Sequence, residues 1–451
     1  MEEDYDNNSD LDFSFTSTTS DRTLTSSSAR SSLTRTSLNL SFNESLLSTT
    51  NNNLHRRRSR DSDPHWSAIK AATTISSNGN LNLNHLKLLR KLGTGNLGRV
   101  FLCRLRDNDH TNFALKVVDR EFLSSKKLSN IKTEAEILSM LDHPFLPTLY
   151  AHLEISHYTC LLIDYCPNGD LHALLRKQPE YRLPLAAVRF YAAEVLVALE
   201  YLHSLGIVYR DLKPENILLR EDGHIMLSDF DLCFRSDVYP RLETRRRRRR
   251  HRKSCFLQDD NEGMELVRKF VAEPTTAYSR SCVGTHEYLA PELVSGNGHG
   301  SGVDWWAFGI FLYELLHGTT PFKGGSKEGT LRNIASSRGV RFVSNGEDVG
   351  LMAVRDLIER LLVKDPRRRL GFNGGASDIK CHPFFNGVKW ALIRMYKPPE
   401  VRGITVAKRG GAAAPVKRRR WYLWKGLSFL MRKKNKYNLM NGNNKYYKSV
   451  C

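Results

Sequence analysis

The chain has 451 residues, with 68 Lys and Arg against 48 Asp and Glu and a formal net charge of +20. Such a surface attracts polyanions, whether nucleic acid, anionic lipid or acidic protein, and charge alone does not choose among them. The eight cysteines, at 103, 160, 166, 233, 255, 282, 381 and 451, form no CxxC pair and follow no leader peptide. They argue against a disulfide framework or a zinc site and predict a reducing, intracellular compartment.

Residues 1 to about 62 are dominated by Ser, Thr, Asn and Arg with scattered apolar residues. Such a composition buries too little surface to offset the entropy of ordering, so 1–84 is expected to be a mostly disordered tail. From Leu86 to Val118 short strand patterns alternate around the glycines at 93, 95 and 98. Helical spacing follows at 131–141 and again from Leu185 to Leu205, ending at Gly206. Beyond that the pattern is mainly helical. A small β-rich lobe (85–165) and a larger α-rich lobe (166–385) are therefore expected, with a nucleotide in the cleft between them and a C-terminal extension at 386–451. The apolar stretch Val303–Leu316 carries Asp304 and Glu314 and is too short to span a bilayer, so it reads as a buried helix. Glu2 and the terminal Cys451 match neither the myristoylation nor the prenylation signal.

Gly93-Thr94-Gly95-Asn96-Leu97-Gly98-Arg99-Val100 places three glycines on a strand turn, where backbone N–H groups can approach phosphate oxygens. Alone, it could be an ordinary hairpin. Phe113-Ala114-Leu115-Lys116-Val117-Val118 then puts Lys116 on one strand face with Ala114 and Val118. On the next helix Ile131, Glu134, Leu138 and Leu141 form one stripe, so Glu134 points inward while Glu136 does not. Pairing offsets the burial of both charges, and the paired lysine can grip the α- and β-phosphates. The segment Tyr209-Arg210-Asp211-Leu212-Lys213-Pro214-Glu215-Asn216, followed by Asp229-Phe230-Asp231, decides the matter. Phosphoryl transfer needs a carboxylate to orient the attacking hydroxyl, a cation beside the transferring group, and oxygen ligands for magnesium. Asp211, Lys213, Asn216 and Asp229 match those parts in order.

On these motifs the chain resembles the protein kinases, over roughly residues 85–400. The resemblance implies an α+β, bilobal kinase fold with disordered N- and C-terminal extensions, and the use of ATP and Mg2+. It makes Asp211 the catalytic base and Lys213 the stabiliser of the γ-phosphate, with Asn216 and Asp229 as metal ligands. It assigns Gly93, Thr94, Gly95, Asn96, Leu97, Gly98, Val100, Lys116 and Glu134 to ATP binding. Ala290-Pro291-Glu292 closes the activation segment, with Glu292 expected to pair with Arg369 and Asp304 to brace the catalytic loop. Tyr209 before Arg210-Asp211, Asp304-Trp305-Trp306 and His382-Pro383-Phe384-Phe385 are similar to the group containing the cyclic-nucleotide-dependent kinases.

Asp231, where most kinases carry Gly, and the long insertion at about 236–274 resemble the plant branch of that group. Leu11-Asp12-Phe13-Ser14-Phe15-Thr16 and Asp63-Pro64-His65-Trp66 are similar to the WAG kinases, relatives of PINOID. That resemblance makes Ser281 the activation-loop phosphorylation site, where the added charge would pair with Arg210 and order the segment, and Thr285 the residue that meets Asp211 and Lys213. It makes Asp170, Glu215 and Glu314 the acids facing basic residues near the acceptor serine of the substrate. It further implies phosphorylation of PIN-type auxin efflux carriers and control of auxin transport, by a monomer. The tail after Pro398-Pro399 lacks the Phe-x-x-Phe ending of many relatives, so autophosphorylation at Ser281 is the simpler expectation.

Within the insertion, Arg245–Arg250, His251, Arg252 and Lys253 read equally as a nuclear import signal or as a patch for anionic lipid. Lys417-Arg418-Arg419-Arg420, Trp421, Tyr422, Trp424 and Arg432-Lys433-Lys434 suit a bilayer interface, although this segment could instead pack back onto the kinase lobe. The expectation is peripheral plasma-membrane association with a cytoplasmic pool, a nuclear pool being the alternative. Competing readings are a pseudokinase scaffold, suggested by Asp231, a membrane-binding adaptor, and a nucleic-acid binder driven by the arginines. No recognition fold accompanies the arginines, so specific nucleic-acid binding is not expected.

Overall fold

The computed structural model describes residues 63–74, 81–95, 97–121, 123–248, 264–342 and 349–404. The expected tail at 1–62, Asn96, Arg249–Lys253 and the basic-aromatic segment 417–434 lie outside these residues.

The described chain opens with helix α1 (Pro64–Thr74), inside the tail expected to be mostly disordered. The correction has a local cause. Proline at the first helical position needs no N–H donor, and the Asp63 carboxylate accepts the His65 N–H at 2.8 Å. Ala68, Ile69 and Ala72, at helical spacing, then bury one stripe against Leu86, Cys103, Phe113 and Tyr150. His65 and Trp66 lie over Tyr150, with ring centroids 5.6 and 5.1 Å away.

Strands β1 (Leu86–Thr94), β2 (Arg99–Leu105) and β3 (Asn108–Asp119) form an antiparallel meander. Helix α2 (Ser125–Met140) follows, started by the Ser124 side chain. Strands β4 (Leu149–Ile155) and β5 (Tyr158–Asp164) then complete a five-stranded sheet in the order β1-β2-β3-β5-β4. The expected stripe of Ile131, Glu134, Leu138 and Leu141 is buried, Ala135 and Ile137 are buried beside it, and Glu136 is exposed.

The larger lobe begins with α3 (Leu171–Arg176) and α4 (Leu185–Ser204). Gly206, at φ +77°, lets the chain turn out of α4; a Cβ there would stand 2.0 Å from the Ser236 carbonyl oxygen. Short pairs follow: β6 (Ile207–Val208), β7 (Ile217–Leu219), β8 (Ile225–Leu227) and β9 (Phe234–Arg235), in which β6 pairs with β9 and β7 with β8. These two strand pairs flank the loops that carry the catalytic motifs, 209–216 and 228–233.

The insertion, read from sequence as an exposed basic block, contains a two-stranded antiparallel ribbon, β10 (Arg241–Arg248) and β11 (Met264–Val271). Leu242 pairs with Phe270, and both side chains are exposed. Beyond it lie α5 (Pro291–Val294), α6 (Gly302–His317), α7 (Lys327–Ala335), α8 (Val349–Leu361) and α9 (Gly375–Lys380). Helix α6 is the buried helix expected at 303–316, with Trp305 and Trp306 almost wholly enclosed. Among the described residues no helix is long and apolar enough to cross a membrane.

Candidate active site

The glycine turn joins β1 to β2 and is closed by the Gly95 N–H donating to the Gly98 carbonyl at 2.9 Å. A side chain at Gly93 or Gly95 would meet nothing within 4 Å, whereas a Cβ at Gly98 would stand 2.4 Å from the Val117 carbonyl oxygen. The turn thus lies against β3 at Gly98 and is open at its other two glycines. Leu97 is buried with Val118 and Ile131, so it offers a nucleotide only its backbone. Val100 pairs with Lys116 across β2 and β3, and Thr94 ends β1.

Lys116 projects from β3 into the cleft and is almost fully buried. Its Nζ lies 2.6 and 2.8 Å from the two Glu134 oxygens and 3.2 Å from Asp229 Oδ1. Burial works against the ammonium charge, but Glu134 and Asp229 outweigh it and hold the Lys116 pKa above its ordinary range. The lysine therefore carries its charge into the cleft and ties α2 to the loop of Asp229.

The catalytic loop is held by its backbone. Asp304 accepts the Tyr209 N–H at 2.8 Å and the Arg210 N–H at 2.7 Å. Arg210 (φ +67°) and Asp229 (φ +58°) are both left-handed, a conformation that non-glycine residues keep only when their surroundings impose it. The Asp211 carboxylate accepts from Lys213 Nζ at 2.7 Å, Asn216 Nδ2 at 2.8 Å and Thr285 Oγ1 at 3.2 Å, while Lys213 Nζ also donates to Thr285 Oγ1 at 2.9 Å. Asp211, Lys213 and Asn216 thus converge, and Thr285 meets Asp211 and Lys213 as the resemblance implied. Asn216 spends its amide nitrogen on the Asp211 backbone and carboxylate oxygens, which leaves its Oδ1 as the atom that could join the Asp229 carboxylate in holding a cation. Two hard oxygen donors beside an open glycine turn and a charged lysine suit a divalent cation carrying a polyphosphate.

Phe230 is buried and its ring meets Tyr209 edge-on at 5.5 Å. Asp231 is buried too; burial first, then the Asp229 charge, push its carboxyl up to about 6. Its backbone is not left-handed, unlike that of Asp229, so the aspartate in place of glycine brings no strain of that kind.

The expected Glu292–Arg369 pair is a buried, two-pronged ion pair at 2.7 and 2.9 Å, not a surface bridge. Ser281 is exposed. Arg210, the expected partner of a phosphate on Ser281, donates to Ser279 Oγ at 3.3 Å, and the Ser281 N–H donates to that same hydroxyl at 3.2 Å. The three acids expected to face substrate divide. Asp170 spends one oxygen on the Ala173 N–H at 2.7 Å, starting α3. Glu215 is half exposed, 3.9 Å from His172 Nε2. Glu314 accepts from the Tyr288 hydroxyl; burial first, with Glu215 and Glu287 adding like charge, raises its pKa. Glu287 was not anticipated, nor was buried His203, which touches Asp304. Both sit in apolar or polar runs with no motif to mark them.

The protein kinase domain family model matches residues 86–246 and 265–385, the segments that build this site. The chain belongs to the protein kinase family. It is 62% identical to serine/threonine-protein kinase WAG1 of Arabidopsis thaliana over 477 positions, covering 100% of this chain and 99% of that one. It is 63% identical to serine/threonine-protein kinase WAG2 of the same plant, covering 96% and 94%. Protein kinase PINOID of Oryza sativa subsp. japonica is 48% identical, covering 80% of this chain and 77% of that one. The chain is a serine/threonine protein kinase of the WAG and PINOID group.

Proposed function

We propose that this kinase transfers the γ-phosphate of ATP to serines flanked by basic residues on the cytoplasmic loops of PIN-type auxin efflux carriers, and so regulates polar auxin transport. The observation that carries the chemistry is the convergence of Lys213, Asn216 and Thr285 on the Asp211 carboxylate, beside Lys116 bridging Glu134 and Asp229. Asp211 orients the acceptor hydroxyl and takes its proton. Lys213 stays beside the transferring group and balances its negative charge. Thr285 bridges Asp211 and Lys213, keeping both aimed at one point. Lys116 holds the α- and β-phosphates while Glu134 fixes the lysine, and the glycine turn supplies backbone donors. Asn216 and Asp229 would hold magnesium, which when bound offsets phosphate charge. Glu215 and Glu314 favour basic residues near the acceptor.

The substrate proposal is supported by the likeness to WAG1, WAG2 and PINOID and by the acidic surface around Glu215 and Glu287. Radiolabelled ATP with magnesium should label a purified PIN cytoplasmic loop, and Asp211→Asn or Lys116→Arg should reduce labelling at least 100-fold, on the order expected when a key catalytic group is lost. Labelling equal in wild type and Asp211→Asn would remove the mechanism. Labelling of a generic basic serine peptide but not of the loop would remove the substrate.

The same reading places the kinase at the plasma membrane by peripheral attachment, with a cytoplasmic pool. Exposed Leu242 and Phe270, paired across the arginine-bearing ribbon, support it, since apolar side chains beside cations suit a lipid headgroup layer. Co-sedimentation with phosphatidylserine vesicles should fall with added salt and disappear when Arg245–Arg250 are replaced by Gln. Binding unaffected by either change would argue for the nuclear alternative.

A further inference from the structure

His203, in the last turn of α4, is wholly buried and has a carboxylate at each ring nitrogen. Nδ1 lies 2.7 Å from Glu273 Oε2, and Nε2 lies 2.8 Å from Asp304 Oδ2. A neutral imidazole carries one N–H and could donate to only one of them; both contacts are donor bonds only if the ring is an imidazolium. Burial opposes that charge, yet Glu273 and Asp304 together hold the His203 pKa up to about 10. The Trp305 ring, 4.7 Å away edge-on, closes the site from α6.

One end of this chain of contacts is the catalytic loop. The Asp304 oxygen that meets His203 also accepts the Tyr209 N–H, and its other oxygen accepts the N–H of left-handed Arg210, the residue before Asp211. The other end is the insertion. Glu273 stands two residues beyond β11, where the ribbon rejoins the kinase lobe. Its second oxygen, Oε1, accepts the Ala376 N–H at 3.3 Å, and a Cβ at Gly375 would come within 1.6 Å of it. Gly375, at φ +55°, is therefore what leaves room for this carboxylate.

We propose that Glu273 is a positioning residue for phosphoryl transfer: by holding His203 as an imidazolium it fixes Asp304, and through Asp304 the backbone that aims Asp211. The long insertion is thereby fastened to the catalytic loop through one buried cation. With Glu273 neutralised, His203 has no second carboxylate to face, and Asp304 keeps its two backbone donors without a cation beside them. Binding of ATP, which depends on Lys116 and the glycine turn in the other lobe, is not touched by this change.

The test uses the full chain and a basic serine peptide. Glu273→Gln should lower kcat about 10-fold while KM for ATP stays within twofold, with the cooperative thermal transition retained. His203→Gln should lower kcat similarly, and the double variant Glu273→Gln/His203→Gln should lose no more than the worse single variant, because both act through Asp304. Gly375→Ala, which displaces the carboxylate without removing it, should reproduce the kcat loss. If Glu273→Gln does not fold, Gly375→Ala and His203→Gln decide the question by the same kcat criterion. A kcat within twofold of wild type in the folded variants, losses that multiply in the double variant, or a change confined to KM would each overturn the proposal.

Discussion

At the scale of single residues, the site depends on backbone closeness as much as on charge. Gly98 is the clearest case, since a methyl group there would stand 2.4 Å from the Val117 carbonyl oxygen and one β3 residue from Lys116. Carbonyl oxygen on a strand cannot move aside as a side-chain tip can, so the turn itself must lift. Gly98→Ala is expected to raise KM for ATP about 10-fold, equivalent to about 1.4 kcal/mol, with kcat less affected; steady-state kinetics at varied ATP checks it. Gly93→Ala, with open space around it, should leave the fold's thermal transition unchanged. Asp231 makes the complementary point: its side chain departs from the usual glycine, but its backbone is unstrained, which removes the structural argument for a scaffold without activity.

At the scale of elements, α1 is a part of the smaller lobe. Ile69 is 1% exposed and packs in the cluster that contains Phe113 and Tyr150. Tyr150 in turn donates its hydroxyl to Asp164 at 2.9 Å, at the end of β5 where the chain passes between the lobes. Ile69→Ala is expected to destabilise the protein by roughly 2–5 kcal/mol, the usual cost of a large-to-small change in a packed site. Differential scanning fluorimetry and urea unfolding measure it; an unchanged transition would mean α1 contributes little to the folded lobe. The helix was hidden in the sequence by its setting, because Ser- and Asn-rich flanks mask a stripe of only three small apolar positions. The ribbon β10–β11 was hidden for another reason. Arginine runs are weak strand formers, and what makes β10 a strand is its partner β11, which begins sixteen residues after β10 ends.

For the whole molecule, the bilobal arrangement and the catalytic group were legible because phosphoryl transfer confines its residues to short linear motifs. Lys116 and Glu134 followed from strand alternation and helical spacing, and Asp211, Lys213 and Asn216 from one loop. Contacts made across the tertiary fold were not legible. His203 and Glu273 are 70 residues apart, and neither belongs to a motif. The bond from the Arg210 guanidinium to Ser279 Oγ was hidden for a similar reason, since no motif marks Ser279.

The buried imidazolium also has a global consequence for pH. The folded chain holds His203 protonated up to about 10, whereas the ordinary value is 6.5. Its stabilising contribution is therefore complete below pH 6.5 and is lost progressively as pH rises through about 10. Within that window it weakens the fold by at most about 1.4 kcal/mol per pH unit. Thermal unfolding across pH 6.5–10 should show a shallower decline for His203→Gln than for wild type. Parallel curves would show that the ring is not charged in the folded chain.

Among the described residues the ribbon's two strands pair with no third strand, so each presents an outer rim, along which the Phe270 carbonyl accepts from the Ser377 hydroxyl at 3.4 Å. Such a rim is a template on which a second molecule can add its own strand, and exposed Leu242 and Phe270 would make the joint adhesive. The arginine run in the sequence of β10 opposes this, because two copies bearing the same positive charge repel one another. Cationic density there acts as a guard on colloidal behaviour whatever else it attracts.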